Sequence, residues 1–502
     1  MTDRAVRRVR LLTRAVAPSL ATLALATQVL SGQASCRDDE WHVSPLSGPH
    51  LQIAGQLGAT PSDAAAAARS LQSMRGVPQR LAAHRARLEV GRVDGFTASR
   101  DNVLRVLDQL EVLDAELDPS ATPAPLTSVE GPVGDSLRQS VRGEVRTALR
   151  EYAAYLRETY IGSARENGGL ASLPGGATCY RERVLQISGL DTPPESLAAL
   201  AARKVAALDA ELAPVAARLV GPMPLADAKR VLRRDPQFLF TSREEMLESA
   251  RALERALTPA VARLFHNPPS APLLIEPTPA VRERSDPPAR YGAPRGPGEP
   301  GTFYLNTWQP DSQPRWNLPV AVSHEGAPGH HFERTYPRSV ELPASARSRG
   351  IGAYIEGWGM YAEEIAARES GALEDDLSRA GFLLHFLDAW NALELDARIH
   401  LDGWTREEVI AQTMHVTGKS RTVAALYADR HTAAPGQLAS YMTGYNAIRS
   451  MRDEAERELG SRFDVRDFHE RVLEAGPLPL STVQERVRAW ISATRAAGPG
   501  PA

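Results

Sequence analysis

Between positions 63 and 265 the apolar residues recur three and four apart, which is the repeat of an amphipathic helix. Leu104, Val106, Leu107, Leu110, Val112 and Leu113 carry that repeat, and the alanine-rich stretches 64–68 and 197–219 favour helix by propensity. Gly95-Phe96, the prolines of 119–125 and the glycines of 168–176 break the pattern, each over a length suited to a short helix connection. Ser242-Arg243-Glu244-Glu245 reads as a capping box opening another helix. The pattern then changes. Ten prolines fall between 267 and 300, and Leu273-Leu274-Ile275 and the stretch 301–306 predict short strands bracketing an irregular loop. Helical spacing returns over 353–364 and 381–400. Thr405 caps a further helix, Pro435-Gly436 starts another, and the 476–480 turn precedes a last one. No period of 20–50 residues marks a repeat array. The expected fold is mainly α, a large helical metallopeptidase-like architecture with a small β element before the metal-binding helix.

This pattern divides the 502 residues into an amino-terminal helical region (36–266), a proline-rich irregular segment (267–300) and a metal-site catalytic region (301–495). A net charge of −3 makes nucleic acid an unsuitable partner. Residues 1–35 have a different character: five arginines, an apolar run from Ala15 to Leu30, then small residues. That order is a secretory signal peptide, so the chain is expected to be exported. Cys36 stands where a lipoprotein carries its lipid, which gives two destinations, the periplasm or an anchored place on a bacterial envelope membrane. Gln33 fits the lipid signal badly. Cys179 is the other cysteine and reads as a packing residue, with no structural disulfide if Cys36 is lipidated or lies in a loose tail.

The chemistry concentrates in Ser323-His324-Glu325-Gly326-Ala327-Pro328-Gly329-His330-His331. Neutral imidazoles beside a carboxylate are what a zinc hydrolase needs: histidines hold Zn2+ and Glu325 takes a proton from the metal-activated water. In an unbroken helix His330 would lie ~9 Å along the axis from His324 and ~120° around it, so the two could not share an ion. Pro328 with Gly326 and Gly329 supplies a break, which makes His324 and His330 the expected ligands and His331 the second choice. Glu356 is the expected third ligand, and Glu363, seven residues on, faces the same way. Pro435-Gly436 would set Gln437 and Tyr441 one turn apart on a face aimed inward. Tyr441 is the first candidate for stabilising an oxyanion, with His400 and Arg430 behind it; Asn306 and Gln437 are the candidate substrate-binding side chains.

Taken together, the blocks 303–306, 324–331, Glu356-Gly357-Trp358 with Tyr361 and Glu363, Arg430 with Pro435-Gly436-Gln437 and Tyr441, and 468–480 resemble a bacterial family of candidate zinc peptidases catalogued as domain of unknown function 885. The resemblance implies a mostly helical, often exported or lipidated protein, distantly similar to His-Glu…His…Glu zinc peptidases. Two positions depart from that family's pattern. Glu333 replaces a Gln, and His431 replaces the Tyr that usually follows the Arg, so substrate preference is expected to shift. The leading expectation is a zinc-dependent hydrolase of a peptide or related amide. The rivals are a non-peptide amidase or biosynthetic tailoring enzyme, a non-catalytic binding lipoprotein, and a two-His-one-carboxylate iron oxygenase, whose usual β-barrel this helical chain lacks.

Overall fold

The computed structural model of the chain describes residues 36–58, 61–118, 130–279, 282–283, 286–296, 298–336 and 352–497. The fold is mainly α with one small sheet. Helices from Pro49–Leu57 to Arg146–Tyr155 close a first apolar core between Val43 and Tyr160. In the Arg100–Glu116 helix, capped by Ser99, Val103, Val106, Leu107, Leu110 and Leu113 face inward. Leu104 and Val112 do not, being 44% and 61% exposed, so the three-and-four spacing overstates the buried stripe.

A larger core takes in residues from Leu170 to Ile491. Its most extensive helix packings are between Pro194–Val220 and Asp376–Leu401, and between Gly352–Glu369 and Gln437–Leu459. The caps act as the sequence predicts. Ser242 accepts from the Glu245 amide, and Thr405 with Glu408 forms a complete capping box. In and just after the proline-rich segment three strands pair in the order β1-β3-β2: β1 is Leu273–Pro277, β2 Ala289–Gly292 and β3 Gly301–Leu305. β1 lies parallel to β3 and β2 antiparallel, with Ile275 and Tyr291 both opposite Phe303. β1 and β3 are the expected strands. β2 is an addition, too short and too close to prolines to show alternation.

The amino terminus brings a correction. Cys36 is buried and disulfide-bonded to Cys179, across a sequence separation of 143 residues. Cys179 is therefore a bonding residue, and the bond occupies the sulfur that a thioether-linked lipid on Cys36 would need. The expected leader, residues 1–35, lies outside the described residues, as does the 119–125 break. Among the described residues no helix is long and apolar enough to cross a membrane.

The cores also bury histidines. Burial pushes His84 and His400 down to about 4 and His469 down to about 3. His469 is wedged between the Leu264 carbonyl and the Tyr361 hydroxyl. Each ring is neutral when folded at neutral pH but takes a proton near pH 6.5 when unfolded, so the unfolded chain binds more protons in between. The contribution of these rings to stability is therefore complete above pH 6.5 and declines as pH falls towards 4. Urea midpoints measured across that window should drop steadily with acidification. A flat profile from pH 7 to pH 4.5 would contradict buried neutral rings.

Candidate metal centre

The helix Asn317–Glu325 stops one residue after His324, and a new helix, His330–Thr335, starts at the second histidine. The break is built from Gly326 to Gly329. A Cβ on Gly329 would lie 1.9 Å from the His324 carbonyl oxygen, so the chain can double back this tightly only with glycine there. The buried Trp358 indole donates to the Pro328 carbonyl at 2.9 Å and pins the loop. Folded back this way, the His324 and His330 rings stand 4.7 Å apart and nearly perpendicular.

Glu356, on the Gly352–Glu369 helix, completes the group. Its Oε2 lies 3.6 Å from His324 Nε2 and 4.0 Å from His330 Nε2, and one donor atom from each residue falls within 4.8 Å of the others. Two ligands ~2.1 Å from a tetrahedral ion sit roughly 3.4 Å apart, so small side-chain shifts would let all three reach one ion. His331 points elsewhere. Its Nε2 donates to the Ala271 carbonyl at 2.9 Å and its Nδ1 accepts from the Tyr291 hydroxyl at 3.0 Å. Between the two histidines left open by sequence, the structure brings His330 to the cluster.

A second carboxylate backs the first histidine. Glu363 is fully buried, with one oxygen 2.7 Å from His324 Nδ1 and the other 2.7 Å from His385 Nδ1. Burial alone would raise its pKa, but the two imidazoles hold it below the usual carboxylate range. Accepting the Nδ1 proton of His324 leaves Nε2 to face Glu356 and His330, which is the orientation a metal ligand requires. His385 was missed in the sequence because it is a single histidine in a long helix, with nothing local to mark it. A Cβ on Gly359 would lie 2.5 Å from His324 Cε1, so that glycine makes room for the ring.

The charges fit a cation. Burial lowers His330 to about 3, leaving an imidazole with a free lone pair, and its buried Nδ1 has no hydrogen-bond partner among the described residues. His324 is desolvated, yet Glu356 and Glu363 raise its pKa well above the ordinary value. Burial lifts Glu325 to about 7, with Glu356 and Glu363 adding to the rise and His324 opposing it. Two imidazoles, the Glu356 carboxylate and the Glu325 carboxylate beside them make a donor set that suits a divalent ion.

Across the cluster lies the start of the Gln437–Leu459 helix. The Tyr441 ring is 6.3 Å from that of His324 and nearly parallel to it. Its hydroxyl faces Glu356, Arg430 and Gln437, and burial raises its pKa, so the phenol stays protonated. Arg430 Nε donates to Gln437 Oε1 at 3.0 Å. Tyr441, Gln437 and Arg430 thus meet on one wall of the cluster.

Two candidates are corrected. His400 is fully buried and both its nitrogens are taken: Nδ1 accepts from the Leu170 amide and Nε2 donates to the His431 carbonyl. It supports the wall and does not line it. Asn306 uses its amide to hold its own loop, donating to the Glu283 and Asp286 carbonyls and accepting from the Trp308 amide, so it has little left to offer a substrate. The departure at His431 is structural as well. Asp396 accepts from His431 Nδ1, the Tyr180 hydroxyl and the Gly436 amide, which fixes the turn ahead of Tyr441. Glu333 is buried against Arg334 at 2.9 Å.

Fold and site define a mainly helical protein with a buried two-histidine, one-carboxylate cluster. Over residues 2–487 the chain matches the model of a bacterial protein family of unknown function (DUF885), and it belongs to that family. A candidate lipoprotein from Colwellia psychrerythraea shares the fold at a TM-score of 0.83 and 22% identity, covering 90% of this chain and 81% of its own. A candidate lipoprotein of unknown function from Shewanella oneidensis gives a TM-score of 0.72 at 20% identity, covering 96% and 90%. No curated protein matches the sequence.

The tight seat of the His324 ring can be tested directly. Gly359→Ala should cost ~1–3 kcal/mol in urea denaturation, since the added methyl must displace the ring or the helix. A loss below about 0.5 kcal/mol, as at an ordinary surface site, would show that the ring is not held against that glycine.

Proposed function

We propose that this chain is an exported zinc-dependent hydrolase acting on peptide or closely related amide bonds. The observation that carries the reading is the convergence of His324, His330 and Glu356, with Glu363 fixing the tautomer of His324. Two imidazoles and one carboxylate leave an ion a position open to water, which is the ligand count of a catalytic rather than a structural zinc site. Export is supported by the leader-like first 35 residues, by a disulfide suited to an oxidising compartment and by two structural relatives described as candidate lipoproteins.

A zinc ion held there would supply Lewis acidity, polarising an amide carbonyl and acidifying water. The chain's own residues do the rest. Glu325 directly follows a ligand and, with a carboxyl held near neutrality by burial, accepts a proton from the attacking water. The water oxygen bonds to the carbonyl carbon, the C–N bond breaks, and the leaving nitrogen takes the proton that Glu325 received. The protonated Tyr441 hydroxyl can donate to the carbonyl oxygen as negative charge develops on it, and Gln437 and Arg430 hold that hydroxyl in place.

Elemental analysis should find about one zinc per chain. His330→Ala should lose it and His331→Ala keep it; the reverse result would overturn the ligand set. Zinc-loaded Glu325→Gln should lose ~100-fold or more in kcat with metal retained. Tyr441→Phe should lose ~100-fold at unchanged zinc content. Near-normal turnover in zinc-loaded Glu325→Gln would refute the hydrolytic mechanism.

A further inference from the structure

Several interior arginines of this chain are neutralised by carboxylates, and Arg165, which has none, is instead held by the Thr97 and Gly169 carbonyls and the Ser172 hydroxyl. Arg233 pairs with Asp388 at 2.7 Å, Arg406 with Asp429 at 2.7 Å and Arg452 with Glu369 at 2.6 Å. Arg430 differs. It is half-buried in the wall of the metal centre, and its partners are the neutral Gln437 oxygen and Tyr441 hydroxyl. Among the described residues no carboxylate forms an ion pair with it. Two neutral acceptors cannot occupy the five N–H donors of a guanidinium, and a partly desolvated positive charge without a counterion is costly. The planar fork that remains matches a carboxylate.

We propose that Arg430 receives the carboxylate of the substrate, so that cleavage falls on an amide bond lying beside a free carboxyl terminus. The proposal rests on the hydrolase reading above and narrows its substrate class to peptides losing a carboxy-terminal residue. Position supports it. The Tyr441 hydroxyl feels both Arg430 and the cluster residue Glu356, and the Tyr441 ring lies 6.3 Å from that of His324, so the guanidinium stands beside the cluster. One residue of extended chain spans roughly 3.5 Å, so a carbonyl at the cluster would carry the carboxylate of the next residue towards the wall that holds Arg430. Gln437 accepts from Nε and holds the fork in register.

The test uses a peptide library in which every sequence is made both as the free acid and as the carboxy-terminal amide. Zinc-loaded wild type should favour the acids by roughly 100-fold in kcat/KM, since an unmatched buried charge is the alternative. Zinc-loaded Glu325→Gln, as an inert binder, should hold the acids at least tenfold tighter than the amides in calorimetric titration. Arg430→Gln should abolish both preferences, and Arg430→Lys, which keeps charge but loses the fork, should restore part of each. Equal use of acids and amides by wild type would overturn the proposal while leaving the hydrolase reading standing. So would an equal loss on both forms in Arg430→Gln, or a preference that follows acidic side chains regardless of the terminus. Failure of zinc-loaded wild type to cleave either form of any peptide would instead overturn the hydrolase reading, and this proposal with it.

Discussion

Backbone touches backbone where the helices Gly352–Glu369 and Gln437–Leu459 cross. A Cβ on Gly357 would lie 2.4 Å from the Gly444 carbonyl carbon, and one on Gly444 would lie 1.7 Å from the Ala353 carbonyl oxygen. Each glycine costs its helix ~1 kcal/mol relative to alanine. The return is proximity. Gly357 follows Glu356, and Gly444 sits one turn beyond Tyr441, so a crossing without side chains lets the phenol of one helix reach the carboxylate of the other. Two turns along the first helix Glu363 backs His324, and between them Gly359 gives the same ring its space. Spread the helices by one methyl group and the two walls of the site part.

Two buried carboxylates hold the remaining pieces, and they work alike. Glu363 bonds His324 and His385; Asp396 bonds His431, Tyr180 and the Gly436 amide. Both lie below the ordinary carboxylate pKa despite complete burial, because several donors answer one negative charge. A buried carboxylate so surrounded fixes direction as much as charge. Glu363 aims an imidazole at the metal cluster, and Asp396 fixes the turn that launches Tyr441.

How much of this could be read from sequence depended on whether the signal was local. The convergence of His324, His330 and Glu356 was legible, since Gly326, Pro328 and Gly329 announced a break that would bring the histidines together. Tyr441 and Gln437 were legible through the Pro435-Gly436 turn. His385 was not, because its meaning comes only from Glu363, 22 residues away. His400 and Asn306 misled for the opposite reason: a polar residue near a motif looks available until its partners are known, and theirs are backbone groups distant in sequence or in their own loop. The Cys36–Cys179 bond joins residues 143 apart within the larger core and has no local signature at all. β2 was hidden by prolines, which mask the alternation of a four-residue strand.

The broken helix does more than bring His330 round. Because the first helix ends at Glu325, both His324 and Glu325 stand in its last turn, where the unpaired carbonyls carry the negative end of the helix dipole. A cation is favoured there and an anion disfavoured. That one field acts on neighbours with opposite needs. It helps His324 hold positive charge, whether a proton or a metal ion, and it adds to the burial that keeps Glu325 reluctant to ionise. A single unbroken helix with ligands one turn apart would place the same pair in mid-helix, where the dipole is weak. In this chain the Gly-Ala-Pro-Gly break sets the geometry of the two histidines and the basicity of the carboxylate beside them at once.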